Sequence, residues 1–462
     1  MDFLEASLGE IAGISIHFSS DCNMACKYCY IEKDKKCMAA YNRGIRQALE
    51  EGSFAAVIKE KCASIRPQIE NLSLWGAEPT INSKLFKDFI YELLEYFPNV
   101  NSLMFSTNAL LGADLIYNDF FIPLMEFSEK DHRKFTFQLQ LSLDGPPEYN
   151  DDSRHEGATA HTLETMRLLL QKLPKEHPYF TLEISTKATL DVYYMRKMIE
   201  GGPATFQWYF DFFDSVATEG YELSKGKTCC RCFVGSPPTL VDPGYHTVDD
   251  GKVFAQWIHS LRFVDRSHFK TFEGPLFVQA MNGIETILGS VNPLADSINA
   301  FSCSASKNNI SIDHEGNLYT CNRLCRNAAL SDEFRSKHSM QSNTTVGGMN
   351  DKTWLKHTWG SFSFHDNILS RWEIERGQMF TLAQCGQILP KYARDEDEQK
   401  MLFFALIGLT CHIGCEEDYT QNPFLKPYSY YRYLGNGALD ELIEYYKLEV
   451  LRGNMRPWKI AM

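Results

Sequence analysis

The run FTFQLQLSLDG, residues 135–145, decides what kind of sheet this chain builds. Phe135, Phe137, Leu139, Leu141 and Leu143 alternate with Thr136, Gln138, Gln140, Ser142 and Asp144. Successive side chains of a strand point to opposite faces, so one face is apolar and the other polar. A parallel strand covered on both faces reads instead as a continuous apolar run. The polar face therefore predicts a wet interior, as in an incompletely closed barrel around a polar ligand. Residues 180–187 repeat the pattern, with Thr181, Glu183, Ser185 and Lys187 on one side.

Working outward, strand patterns fall at 13–18, 71–75, 102–107, 135–143, 180–187 and 206–212. Helix-like segments separate them at 40–65, 83–97, 111–127, 161–173 and 192–200. Strand–helix alternation predicts an α/β fold with a parallel sheet. Six such units make either an open doubly wound sheet or a partial barrel, and periodicity does not choose. Residues 227–246, rich in Pro and Gly, read as a loop, 252–264 as a helix, and 438–451 as a closing helix. Residues 301–420 hold most of the remaining cysteines and read as a small metal-stapled domain.

Composition narrows the function. The net charge is −13 and no dense Lys/Arg block is present, which argues against a nucleic-acid partner. A basic peptide or a neutral small molecule suits this surface better. The start MDFLEASLGEIAG is no signal peptide, and no stretch approaches the ~20 apolar residues that span a bilayer. A cytoplasmic protein without a membrane partner is expected. In that compartment 14 cysteines suggest metal ligands before disulfides.

The densest cysteine group is SSDCNMACKYCY, with Cys22-x3-Cys26-x2-Cys29 just after the first strand. Thiolates select iron–sulfur clusters or zinc. A closed structural zinc site wants four ligands. Three cysteines around a [4Fe–4S] cube leave one iron open for a chelating substrate. A zinc site or three structural thiols is the bland alternative.

This spacing, with Tyr28 just before the third cysteine, resembles the radical SAM superfamily. The resemblance implies that Cys22, Cys26 and Cys29 hold a [4Fe–4S] cluster that binds S-adenosyl-L-methionine (SAM), with Tyr28 near the adenine. LWGAEPT is similar to the family's Gly-Gly-Glu-Pro turn, which receives the methionine amino group; Gly76 and Glu78 match, and Ala77 replaces the second Gly. An alanine there is awkward if the position needs positive φ. Thr107 and Asn108 in FSTNALL stand where Thr-Asn-Gly often occurs. SLDGPPEYNDDSR resembles the stretch of one large subgroup: Ser142, Asp144 and Arg154 match, while Asn150-Asp151 replaces a usual His-Asp pair. Ser142 and Arg154 are the candidates for the SAM carboxylate and ribose. These motifs end strands, as active sites of parallel barrels do. The resemblance thus favours a partial (β/α)6 TIM-like barrel over the open sheet.

CSASKNNISIDHEGNLYTC gives Cys303-x12-Gly316-x4-Cys321, a short hairpin with Asp313 and Gly316 near its turn. It resembles the opening of the SPASM domain of peptide-modifying radical SAM enzymes, which carries auxiliary iron–sulfur clusters. Of the later pattern only Cys411-x3-Cys415 is visible. Six cysteines follow residue 300, enough for one four-cysteine auxiliary [4Fe–4S] cluster on Cys303, Cys321, Cys411 and Cys415, with Cys325 and Cys385 unassigned. Cys229, Cys230 and Cys232 read as plain thiols or as metal or substrate groups; Cys37 and Cys62 read as structural.

The expected organisation is a radical SAM barrel at 1–228, a bridging segment at 229–300, a SPASM/twitch-like domain at 301–420 and a helical tail at 421–462. The implied activity is cleavage of SAM to a 5′-deoxyadenosyl radical that abstracts hydrogen from a peptide or protein side chain. An external electron donor such as flavodoxin or ferredoxin is implied. A small-metabolite substrate is the alternative, and a non-catalytic metal-binding scaffold the remote one. The residues before Gly13 are too few for a peptide-recognition domain, so a leader peptide is expected to bind elsewhere. Asn322 stands where sulfatase-maturating relatives have Asp, which argues against that reaction. Glu183, Tyr209 and Asp211 are the polar-face candidates for a proton-accepting catalytic residue.

Overall fold

The computed structural model describes residues 11–29, 35–190, 192–232, 236–240, 248–265, 267, 269, 298–299, 309–316, 318–319, 379–380, 441, 444, 448 and 451. A parallel sheet forms the centre. β1 (Gly13–Ser19), β2 (Asn71–Gly76), β3 (Ser102–Thr107), β4 (Phe135–Ser142), β5 (Phe180–Leu190) and β6 (Cys230–Cys232) lie side by side in chain order. Every neighbouring pair is parallel. β7 (Ser236–Leu240) also pairs with β5. A doubly wound sheet reverses its strand order partway. No reversal occurs from β1 to β6, so the arrangement is that of a partial (β/α)6 barrel.

The connections are α1 (Lys35–Glu50), α2 (Ser53–Lys61), α3 (Phe86–Tyr96), α4 (Ala113–Ile116), α5 (Ile122–Lys130), α6 (Pro147–Ser153), α7 (Ala158–Lys172), α8 (Val192–Gly201) and α9 (Pro203–Ser224), with α10 (Val248–Ser260) beyond β7. Their inward stripes follow the helical period. In α3, Phe86, Phe89, Ile90, Leu93 and Leu94 are buried; each full burial of such a side chain contributes about 1.5–3 kcal/mol. Among the described residues no helix is long and apolar enough to cross a membrane.

β4 and β5 carry out the alternation expected of them. Phe135, Phe137, Leu139 and Leu141 are buried under the helices, while Thr136, Gln138, Gln140 and Ser142 are half-buried. Register places Gln138 beside Glu183, Gln140 beside Ser185 and Ser142 beside Lys187. Gln138 donates to Glu183 at 2.9 Å, and Ser106 donates to Gln140 at 2.8 Å. The polar face is continuous from β3 to β5 and lines the barrel's interior.

The strand expected at 206–212 is a correction: these residues lie within α9. Phe206, Tyr209, Phe210, Phe213, Val216, Ala217 and Gly220 are buried along it, a spacing of three and four. Aromatic residues favour strands only as a weak prior, and here helical packing overrides it. The sixth strand comes instead from the stretch that read as a loop, 227–246, which supplies β6 and β7.

β9 (Asn309–Ile312) pairs in parallel with the outer edge of β1, and β10 (Leu318–Tyr319) folds back on β9. This is the expected hairpin, with Gly316 at φ 83 and its N–H donating to the Asp313 carbonyl at 3.1 Å. Strand β1 is buried along its whole length. β8 (Ile298–Asn299) and β11 (Met379–Phe380) form a separate antiparallel pair. Residue 441 is helical, and Glu441 accepts from Arg262 at 2.7 Å beside α10.

Candidate functional site

The loop after β1 carries Cys22, Cys26 and Cys29. Cys22 is exposed and the other two half-buried. It is stitched to the barrel strand by strand. The turn after β2 takes the first stitches: Ala77 N–H donates to Ser19 O at 2.8 Å, and Glu78 N–H to Asp21 O at 2.9 Å. Gly76 has φ 123, and a Cβ there would stand 1.7 Å from Ser19 O. The glycine requirement thus falls on Gly76; Ala77 is not among the positive-φ residues, which is why the departure from Gly-Gly-Glu-Pro is tolerated.

Glu78 is buried and makes the next stitch. Its carboxylate accepts from Thr80 N–H at 3.2 Å, Thr80 Oγ1 at 2.6 Å, Thr107 Oγ1 at 2.8 Å and Asn108 N–H at 2.8 Å. Burial raises its pKa against the pull of these donors. Asn108 passes the connection on: its Nδ2 donates to Asn23 Oδ1 at 2.7 Å and to Cys22 Sγ at 3.7 Å.

The end of β4 holds the far side of the loop. Tyr28 donates to Asp144 Oδ2 at 2.6 Å. Burial first, and then the charge of Asp144, push the Tyr28 pKa well up, so the phenol stays a donor. Asp144 also accepts from Arg154 Nε at 2.6 Å, Arg154 Nη2 at 2.7 Å and Thr189 N–H at 2.8 Å. The guanidinium lies 5.4 Å from the Tyr28 ring centroid. Asn150 accepts from Asp144 N–H at 2.9 Å. Lys27 closes the loop, its N–H donating to Ser153 O at 2.8 Å.

Cys22, Cys26, Cys29, Tyr28, Gly76, Ala77, Glu78, Thr107, Asn108, Asp144 and Arg154 thus meet at the C-terminal ends of β1 to β4. Ser142 is half-buried on the interior face beside Lys187, which the sequence reading put on the polar side without assigning it a site. Glu183 faces the interior, held by Gln138 and 3.7 Å from Arg231 Nη1. Tyr209 and Asp211 do not: both ride on α9. Tyr209 is fully buried, and its hydroxyl donates to Asp144 O at 2.7 Å. Gln207 donates to Asp211 at 2.7 Å on the same helix. A strand over 206–212 would put Tyr209 and Asp211 on one face of the sheet; the helix takes them out of it. Gly145 makes room for Tyr209, since a Cβ there would lie 2.5 Å from its ring.

The thiols fit an iron–sulfur group by chemistry. Although Cys22 as a residue is exposed, the loop crowds its thiol, and desolvation raises its pKa, with Met24 N–H opposing and the charges of Glu78, Cys26 and Cys29 adding to the rise. What fits the group is the donor set: three soft sulfur ligands on one loop at one barrel end, the type that selects iron–sulfur clusters. Among the described residues no group of three or more His, Cys, Asp and Glu side chains meets the arrangement for a single metal ion. Of the other cysteines, Cys62 is buried in the core, as a structural residue is. Cys229 donates to Pro174 O at 3.0 Å, and Cys230 pairs in register with Leu182 on the helix-covered side of β5. Cys303, Cys321, Cys411, Cys415, Cys325 and Cys385 lie outside the described residues.

Comparison with solved structures finds native anSMEcpe with bound AdoMet, 14% identical with a TM-score of 0.47, covering 96% of this chain and 99% of that one. The same protein with bound AdoMet and Cp18Cys peptide is 14% identical with a TM-score of 0.45, covering 96% and 98%. Streptococcus suis SuiB bound to precursor peptide SuiA is 10% identical with a TM-score of 0.30, covering 68% and 60%. Residues 12–156, which contain the whole stitched loop and its partners on β2 to β4, match the family of the 4Fe-4S single cluster domain.

Proposed function

We propose that this chain is a radical SAM enzyme that modifies a peptide or protein side chain. The observation that carries the reading is the convergence at one barrel end: a three-thiol loop tied to Glu78, Asn108 and Asp144. The match of residues 12–156 to a 4Fe-4S single cluster domain supports it. Cys22, Cys26 and Cys29 would hold a [4Fe–4S] cluster with SAM beside it, and that group would supply the one-electron reductive cleavage of the SAM C–S bond to methionine and a 5′-deoxyadenosyl radical.

The chain's own residues orient and enclose. In the turn of Gly76, Ala77 and Glu78, the acceptor for the methionine amino group is Glu78 Oε2, which takes one donor, Asn108 N–H, where Oε1 takes three. Tyr28 presents a ring for the adenine, held by Asp144. Ser142 and Lys187 stand together on the interior face, suited to a carboxylate or ribose. Arg154 acts on the site through Asp144, whose carboxylate takes up its fork. Glu183 is the interior carboxylate that best suits a proton-accepting role. The similarity of 303–321 to a SPASM opening supports a peptide substrate, and the hairpin within it is docked on β1. An electron donor such as flavodoxin or ferredoxin would feed the loop cluster.

The test is anaerobic reconstitution with iron, sulfide and SAM, followed by dithionite. Wild type should yield 5′-deoxyadenosine, and Cys26→Ala should yield none. Equal yields from both would sink the reading. Mass spectrometry of peptides encoded beside the gene then tests the substrate class.

A further inference from the structure

We propose that the Asn108 side-chain amide is a hydrogen-bond donor to the cluster-ligating sulfur of Cys22, and that this contact raises the cluster's reduction potential. The inference rests on the reading above, in that it takes Cys22 as a ligand. The sequence placed Asn108 only in a turn at the SAM site; the geometry aims its donor at the thiol.

The amide cannot turn round. Its Oδ1 accepts from Leu110 N–H at 3.0 Å, an Asx turn. That leaves Nδ2 facing the loop, where its two N–H groups meet Asn23 Oδ1 at 2.7 Å and Cys22 Sγ at 3.7 Å. The backbone is equally held. Asn108 N–H donates to Glu78 Oε2 at 2.8 Å, and Ala109 N–H donates to Thr107 Oγ1 at 3.0 Å. Ala109 itself stands at φ 62, a left-handed conformation that costs a residue with a Cβ. It is buried, and its carbonyl accepts from Thr165 Oγ1 at 3.3 Å. The surrounding contacts hold this strained turn, and the turn points Asn108 at the sulfur.

An N–H bonded to a ligating thiolate stabilises the more electron-rich, reduced state and so raises the potential. Cys22 Sγ receives one such bond from Met24 N–H at 3.4 Å, which every side chain at 24 except proline leaves in place. Asn108 is the donor that side-chain substitution removes.

The experiment uses the full chain, reconstituted anaerobically, with wild type, Asn108→Ser and Asn108→Asp compared. Serine is neutral and too short to reach the sulfur; aspartate keeps the turn's acceptor but has no N–H. Iron content is measured, and the EPR signal that responds to added SAM is followed through a redox titration. Both variants should hold as much iron as wild type, with midpoints more negative than wild type and Asn108→Asp the more negative of the two. An unchanged midpoint in Asn108→Ser would overturn the inference. So would loss of iron from both variants, which would make Asn108 a structural strut alone. A wild type with no SAM-responsive signal would overturn the radical SAM reading, and this inference with it.

Discussion

Arg154 is closed onto Asp144: Nε meets Oδ2 at 2.6 Å and Nη2 meets Oδ1 at 2.7 Å, with the side chains 8% and 3% exposed. The pair joins the end of α6 to the end of β4, and through Tyr28 it joins both to the cysteine loop. Removing one partner of a buried pair leaves the other charge uncompensated, at a cost of about 3–5 kcal/mol. Arg154→Met should therefore lose stability on that scale. Asp144→Asn combined with Arg154→Met should lose less than the sum of the two single changes. Chemical denaturation in a double-mutant cycle checks this, and strict additivity would show the pair to be uncoupled.

Glu78 gives a second prediction. Its carboxylate takes four donors from three residues, so Glu78→Ala leaves Thr80, Thr107 and Asn108 without their acceptor. Each buried group so orphaned costs about 1–3 kcal/mol. Glu78→Gln keeps one acceptor oxygen and should be the milder change. On reconstituted protein, Glu78→Gln should still weaken SAM by about 1.5–3 kcal/mol, the worth of a hydrogen bond to a charged group. Calorimetry showing unaltered SAM affinity would remove Glu78 from the ligand site and leave it as the tie between β2 and β3.

The glycine turn separates two neighbours that look alike in sequence. Gly76→Ala would force a Cβ onto Ser19 O and should abolish soluble folded protein or iron uptake. Ala77→Gly removes a methyl at a position without positive φ and should change stability by no more than about 1 kcal/mol. Thermal melts and iron assays on both distinguish them; a well-folded, iron-replete Gly76→Ala would contradict the close approach.

His17 makes the fold acid-sensitive. It is buried on β1, with Nε2 hydrogen-bonded to Ser20 Oγ at 2.8 Å and Nδ1 without a partner among the described residues. Desolvation lowers its pKa from 6.5 to about 4, against the charge of Asp313. Between those values the unfolded chain binds more protons than the folded one, so stability rises with pH across this window. The contribution is fully present above about 6.5 and is lost as pH falls toward 4, on the order of 3 kcal/mol in all. Denaturation of wild type and His17→Gln at pH 7 and pH 5 should show the smaller acid loss in the variant. The same loss in both would assign the acid limb to other groups.

Much of the fold was legible in the chain because local pattern and tertiary demand agree. The alternation at 135–143 and 180–187 marks an apolar and a polar face on its own, and β4 and β5 show both. The spacing of Cys22, Cys26 and Cys29 is a local fact of one loop, readable without knowing what packs on it. The hairpin turn at Asp313 and Gly316 is local too, and it forms as expected. What needed the tertiary structure is every choice between partners distant in sequence. Residues 206–212 read as a strand until α9's buried stripe against the barrel gave them a helical period. Cys230 and Ser236 looked like loop until β5 offered them a pairing edge. Arg154 matched a ligand-binding position, but only folding brings it against Asp144, whose buried charge takes both arms of its fork. Asn108 stood near the site in sequence; the direction of its amide was decided by Leu110 N–H, Glu78 and the loop, none of which a one-dimensional pattern can orient.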